Sequence, residues 1–302
     1  MKVFEYIKDP KKVIFYFGIH GHFRFLSDSQ FVKMMYWTRF GKIPNLEDPK
    51  SYNEKLQWLK LHDRCPAYCT MVDKYEVKKY VSSLIGEAYI IPTLGVWDSP
   101  EEIDFDSLPN QFVLKCTHDS GGIVICKDKR KLDRKATVRK LQACLKKNYF
   151  WSGREWPYRD ISPKILAEEY LVDESGNDLK DYKVLCFDGV PKLIELHAGR
   201  YTGHQTQDFY DTEWRKTEIS QSGLSEYQSN NVVFPKPESL EKMLRLSEVL
   251  SSGLVHVRID WYSVSGKLYF GEITFFDGSG FDPFDNLEDD LLLGSWINLP
   301  SV

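Results

Sequence analysis

The chain has 302 residues, with 40 Lys and Arg against 44 Asp and Glu, a net charge of −4. That balance excludes a general nucleic-acid binder, and a hydrophobic fraction of 42% excludes global disorder. No run approaches the ~20 apolar residues of a membrane span, and the length suits one large domain or two to three smaller ones. The six cysteines are scattered. Cys65-Pro66-Ala67-Tyr68-Cys69 has the spacing of half a zinc site, but no second pair follows at a fitting distance. Neither zinc nor a disulfide framework is expected. Glu5, Lys8 and Asp9 interrupt the opening segment, so it does not read as a leader, and the expected location is the cytoplasm.

In chain order, the first 45 residues are basic and aromatic, with eight Lys and Arg against three acids. They read either as a helical cap packed on the main body or as a surface that meets anionic lipid or glycan. Ser51-Tyr52-Asn53-Glu54 is a capping box that opens a helix, and Leu56, Trp58, Leu59 and Leu61 give that helix a buried side. Asp73 is predicted to cap a helix over 74–84, which Gly86 ends.

Strand-like sequence begins at 89–97 and continues in Phe112–Cys116 and Ile123–Cys126, which a Gly-rich loop joins. An amphipathic helix is predicted over 133–147, then strands at 164–171, Asp181–Phe187 and 191–196. The irregular stretch 198–237 reads as a functional loop or an insertion. A helix over 239–250, a C-terminal hairpin and a helix over 286–294 complete the chain. Hairpins outnumber βαβ units, so the expected class is α+β rather than a doubly wound parallel sheet.

The hairpin carries most of the chemistry. His256-Val257-Arg258-Ile259-Asp260 and Gly271-Glu272-Ile273-Thr274 both alternate polar and apolar residues. With Val264, Ser265 and Gly266 as a three-residue loop, Arg258 faces Glu272, and Asp260 lies diagonal to Glu272 at roughly 7–8 Å. Such a face suits either a cross-strand salt bridge or a site for Mg²⁺ and polyphosphate.

Lys115 stands alone in the apolar strand Phe112-Val113-Leu114-Lys115-Cys116, just before Thr117-His118-Asp119-Ser120-Gly121-Gly122. A strand Lys followed by a Gly hairpin could hold phosphates, or could be a plain turn. Glu168 and Glu169 end another apolar strand, and Asp181-Tyr182-Lys183 begins the next. Phe276-Asp277-Gly278-Ser279-Gly280-Phe281 is a second Gly-rich loop whose N–H groups could receive a carboxylate or a phosphorylated intermediate. His197, Arg200 and His204 are either surface residues or recognition groups for an acidic substrate. Asp104-Phe105-Asp106 has the Asp-x-Asp form of nucleotide-sugar transferases but reads as surface.

In this order the features resemble an ATP-grasp enzyme, specifically the family typified by the teichuronopeptide-biosynthesis protein TupA. The most specific stretches are Asn53-Glu54-Lys55-Leu56-Gln57-Trp58-Leu59-Lys60-Leu61, Val72-Asp73-Lys74-Tyr75, residues 112–122, and Gly271-Glu272-Ile273-Thr274 with Gly278-Ser279-Gly280-Phe281. The resemblance implies two α+β subdomains clamping ATP. The expected layout is a helical region over 1–70, a first subdomain over 71–163 and a second over 164–302.

The resemblance also implies the site residues. ATP is to be bound by Lys74, Lys115, Ser120, Gly121, Gly122, Glu168, Glu169, Tyr170, Leu171 and Lys183. Mg²⁺ is to be bound by Asp260, Glu272 and Thr274, with Arg258, Lys115 and Lys183 catalytic. Substrate is expected at His197, Arg200, Gly278, Ser279 and Gly280. Thr274 stands where most such enzymes carry Asn.

The implied activity is ATP-dependent carboxylate–amine ligation through an acyl phosphate, with a uronic acid or related carboxylate of surface polysaccharide as substrate. A glycosyltransferase or a small-molecule kinase is the alternative. The basic N-terminal region is the expected contact with membrane or lipid-linked glycan.

Overall fold

Two antiparallel sheets organise the chain in the computed structural model, which describes residues 9–173, 179–199, 205–221 and 233–301. The first sheet has strand order β1-β4-β2-β3, from β1 (Thr93–Trp97), β2 (Phe112–Cys116), β3 (Ile123–Cys126) and β4 (Ile165–Glu169). The second has order β7-β6-β5-β8-β9, from β5 (Asp181–Phe187), β6 (Val190–Ala198), β7 (Thr206–Tyr210), β8 (His256–Val264) and β9 (Lys267–Thr274). β4 pairs with β1 and β2 although it lies beyond residue 163, where the sequence reading divided the subdomains. β7 falls inside the stretch read as irregular.

The helices among the described residues are α1 (Pro10–Ile19), α2 (Asp28–Phe40), α3 (Tyr52–His62), α4 (Ala67–Val72), α5 (Glu76–Ile85), α6 (Arg134–Leu145), α7 (Phe150–Gly153), α8 (Leu240–Ser251) and α9 (Leu287–Ser295). Their ends follow the expected local chemistry. Ser51 and Glu54 form the capping box of α3, and Asp133 caps α6. α5 starts at Glu76, two residues later than predicted, because Asp73 turns its carboxylate to the backbone N–H groups of Tyr75 and Glu76. Gly86 ends α5 with φ +96°.

Period-two alternation gives each sheet one apolar and one polar face. In β2, Phe112, Leu114 and Cys116 point into a core shared with Leu141 and Cys144 of α6, while Val113 and Lys115 point the other way. In the second sheet, Ile259 and Trp261 pack in the core that contains Met243, Leu246 and Leu250 of α8, and the Trp261 indole donates to Ser247 Oγ at 2.8 Å. Burying such aromatic and aliphatic side chains contributes about 1.5–3 kcal/mol each. The remaining faces, with Lys115 on one and Lys183, Arg258 and Asp260 on the other, line one cleft.

The N-terminal helices pack on the rest of the chain through one side. Phe31, Met35 and Tyr36 are buried with Phe281, whereas Tyr16, Phe17 and Phe25 are exposed. No helix of the described residues is long and apolar enough to cross a membrane.

Candidate active site

The C-terminal hairpin turns more tightly than the three-residue loop expected. Val264 pairs with Lys267, so the loop is Ser265-Gly266, at φ +49° and +73°. A bulge between Asp260 and Trp261 then shifts the register, with Gly271 as the extra residue. A Cβ on Gly271 would lie 3.1 Å from the Asp260 carbonyl oxygen. The two corrections together put Asp260 directly opposite Glu272, and Arg258 opposite Thr274 rather than Glu272.

Like charges placed opposite one another repel, and cations surround this pair. Arg258 donates Nε and Nη2 to the two Asp260 oxygens at 2.8 and 2.9 Å, and its Nη2 also reaches Glu272 at 3.3 Å. Its Nη1 pairs with Asp277. Lys183 Nζ meets Asp260 Oδ2 at 2.6 Å. Across the sheet the pairing runs Glu195, Lys183, Asp260, Glu272, an alternation of sign broken only at the last pair.

Burial alone would raise the Glu272 carboxyl, but Lys74, Lys183, Arg258 and Lys115 outweigh it and bring it down to about 2. Burial works against the Arg258 charge, and Asp260 and Asp277 more than offset that effect. Asp277 is pushed up to about 6 by desolvation, which Arg258 only partly opposes.

On the opposite wall, Lys115 Nζ meets Glu168 Oε2 at 2.5 Å, and Lys78 meets Glu168 Oε1 at 2.6 Å. Desolvation would lower Lys115, yet Glu168 raises it above the ordinary lysine value. Glu168 is therefore the buried counter-ion of two lysines, within the cleft lining. Glu169, Tyr170 and Leu171 line the cleft where β4 ends, near the apolar side chains of Val113 and Ile125.

The first Gly-rich loop is fixed from inside. Asp119 Oδ1 accepts from the Gly122 N–H at 3.0 Å, and Lys74 Nζ donates to the Asp119 carbonyl at 2.7 Å. Lys74 also lies 3.8 Å from Glu272, so it links the two walls. Of the loop residues Ser120, Gly121 and Gly122, Ser120 lines the cleft, Gly121 is exposed, and Gly122 is buried against Cys116.

The second Gly-rich loop departs from expectation. Gly278, Ser279 and Gly280 all have positive φ, which curls the loop on itself. The Ser279 N–H donates to the Phe276 carbonyl at 2.8 Å and its hydroxyl to Glu155. Gln57 of α3 donates to the carbonyls of Ser279 and Gly280, and Lys60 to those of Ser279 and Gly153. Only Gly278 of the three lines the cleft. The expected substrate contact at Ser279 and Gly280 is thus corrected to an anchor on α3, with Gly280 buried.

Thr274 also differs from the expected third metal ligand. Its hydroxyl accepts from Arg258 at 3.4 Å and donates to Glu272 at 3.2 Å, and so orients the glutamate. His197 lines the cleft but turns its Nε2 to Glu195. Arg200 and His204 lie outside the described residues. Asp104 and Asp106 are exposed and outside the cleft lining, with Asp106 paired to Arg134.

The cleft encloses about 370 Å³ and gathers Lys74, Lys115, Lys183, Arg258, Asp260 and Glu272. Its lining carries eight carboxylates against four Lys and Arg. Sequence reasoning missed Glu195 and Asp277 as site residues. Glu195 carried a weaker form of the Lys115 signal, a charge inside a largely apolar strand that also holds Lys192.

Several solved structures are similar to this chain. D-alanine–D-alanine ligase from Helicobacter pylori is 15% identical with a TM-score of 0.44, over 82% of this chain and 70% of that one. The Bacillus anthracis D-alanine–D-alanine ligase complexed with ATP is 16% identical with a TM-score of 0.39, over 68% of this chain. This chain spans about half the length of that ligase, 54%. The ATP-grasp ligase PsnB complexed with minimal precursor, Mg and ADP is 13% identical with a TM-score of 0.39, over 75% and 60% of the two chains. No curated protein matches. The TupA-like ATPgrasp family model matches residues 54–298, well over half of the sequence, and the chain belongs to the TupA-like ATP-grasp family.

Proposed function

We propose that this protein is an ATP-dependent carboxylate–amine ligase. The observation that carries the reading is the directly opposed pair Asp260 and Glu272, held with Arg258 and Lys183 on one wall and facing Lys115 and Lys74 on the other. In this reading a substrate carboxylate oxygen attacks the γ-phosphorus of ATP and ADP leaves. An amine nitrogen then attacks the acyl carbon, phosphate leaves, and an amide remains. Lys115 and Lys74 neutralise the phosphates, and Arg258 steadies the group in transfer. The apolar Val113 and Ile125, beside the chain at 169–171, give a base its platform.

The residues fit Mg²⁺. A lining of eight carboxylates and four Lys and Arg repels a bare triphosphate. Asp260 and Glu272 are hard oxygen donors on adjacent strands, and Mg²⁺ is ordinarily held by one or two carboxylates together with substrate phosphates. Bound there, Mg²⁺ would neutralise charge on the β- and γ-phosphates.

The proposed setting is cytoplasmic assembly of surface polysaccharide, with a uronic acid or related sugar carboxylate as one substrate. Exposed Tyr16, Phe17 and Phe25, near the basic Lys11, Lys12 and Arg24, support peripheral contact with a lipid-linked acceptor.

The test is incubation of the protein with Mg·ATP, a panel of uronic acids and a panel of amines, read by mass spectrometry. The expected products are ADP, phosphate and an amide. AMP and pyrophosphate would refute the acyl-phosphate route.

A further inference from the structure

Glu195 of β6 stands two strands from Asp260, about 10 Å across the sheet at ordinary strand spacing. It is 3% exposed and lines the cleft. Its Oε1 accepts from His197 Nε2 and from Gln207 Nε2, the latter at 2.6 Å. Its Oε2 is buried with no hydrogen-bond partner among the described residues. A buried carboxylate oxygen without a donor is costly, so such an atom asks for a partner.

The surroundings indicate what kind of partner. Asp277 and Asp282 line the same cleft, and both feel the Glu195 charge. Gln207 passes a hydrogen bond to Gln221 Oε1 at 3.1 Å, and Gln221 Nε2 donates to the Asp282 carbonyl at 3.3 Å. This chain of amides joins β7 to the C-terminal loop and braces the acids. Arg258 is committed to Asp260 and Asp277, and Lys183 to Asp260. A carboxylate entering here would meet three acids. A metal ion would find no cluster of three ligands among the described residues, and two N–H donors already occupy Glu195 Oε1.

We propose that this corner, Glu195 with Asp277 and Asp282, is the subsite of the amine substrate and receives it as an organic ammonium, an amino sugar or amino-acid nitrogen, with the Glu195 Oε2 atom as its acceptor. This assignment rests on the ligase reading and deepens it. The expectation of an acidic substrate at His197 is reversed, since that ring is turned to an acid. Although burial pushes Glu195 up, His197, Arg258 and Lys183 hold it well below the usual carboxylate range, so it stays charged at neutral pH.

The test uses the full chain and named probes. Calorimetry first gives the dissociation constant of Mg·ADP. Ethanolamine hydrochloride, ethylammonium chloride and sodium acetate are then titrated into the Mg·ADP complex and followed by saturation-transfer NMR. The two ammonium probes are expected to bind in the millimolar range, and acetate is not. Glu195→Gln is expected to weaken ammonium binding roughly tenfold or more, with the Mg·ADP constant unchanged. Asp282→Asn, at a largely open side chain, is expected to weaken it severalfold, and it carries the test should Glu195→Gln fail to fold. Failure of Mg·ADP to bind would sink the ligase reading itself. Normal Mg·ADP binding with no ammonium binding, with acetate preferred, or with ammonium affinity unaltered in both variants would overturn the subsite alone.

Discussion

Lys115 and Glu168 show how a single charge can be both buried and available. Glu168 is shared by Lys115 and Lys78 at 2.5 and 2.6 Å, so removing one lysine leaves the glutamate paired. Lys115→Ala is therefore expected to keep the fold and to weaken Mg·ATP binding about tenfold or more. An unchanged dissociation constant by calorimetry would remove Lys115 from the phosphate site. His256 offers a stability readout. Buried between the Cys186 carbonyl and the Tyr52 hydroxyl, at 2.9 and 3.0 Å, it is pushed down to about 3 by desolvation above all. Between about pH 3 and its ordinary value near 6.5, the unfolded chain binds a proton that the fold refuses. This residue's contribution to stability is thus full above pH 6.5 and declines as pH falls toward 3. Denaturant melts should show His256→Gln losing part of that slope; an identical pH profile would contradict it. At this scale the sequence was legible where a charge interrupts an apolar strand, as at Lys115, Lys183 and Asp260, although a similar signal at Glu195 was missed. Asp277 was hidden because its partner Arg258 is nineteen residues away and meets it only once the loop has curled.

At the scale of elements, strand and helix identities were readable from periodicity and caps, while register was not. The hairpin needed two facts that alternation does not carry: a two-residue turn at Ser265-Gly266 and a bulge at Gly271. β7 escaped notice because Thr206-Gln207-Asp208-Phe209-Tyr210 has a weak alternation and lies in a polar stretch. Likewise the motif at 53–61 was readable as a capped helix with a buried side, but not what that helix holds in place. Its Gln57 and Lys60 anchor the 277–280 loop, and Asn53 bonds Asp290 of α9 at 3.0 and 3.1 Å. The contact between α9 and the start of α3 is tight at Gly294, where a Cβ would lie 2.2 Å from the Lys50 carbonyl oxygen. Backbone cannot swing aside as a side chain can. Gly294→Ala should cost about 1–3 kcal/mol and lower the melting midpoint by several degrees. Gly121→Ala meets nothing within 4 Å and should leave the midpoint unmoved. Equal midpoints for the two variants would show that the α3–α9 contact is looser than described.

For the whole molecule, the two sheets serve as walls whose polar faces are unlike. One presents Lys115 above an apolar platform, and the other an acid pair tied to Arg258 and Lys183. The α+β class and the ATP-grasp identity could be read from the order of motifs, because each wall carries its own strand-plus-loop signature. The acid surplus of the cleft emerges only when the walls meet. It makes the central claim depend on a divalent cation, since a triphosphate should enter only with its charge offset. The decisive measurement is a calorimetric titration with a non-hydrolysable ATP analogue, with Mg²⁺ and with EDTA, on the wild type and on Glu272→Gln. The account predicts one saturable site with Mg²⁺ that is lost in EDTA and in Glu272→Gln. Binding of equal strength under all these conditions, or none with Mg²⁺ present, would contradict it.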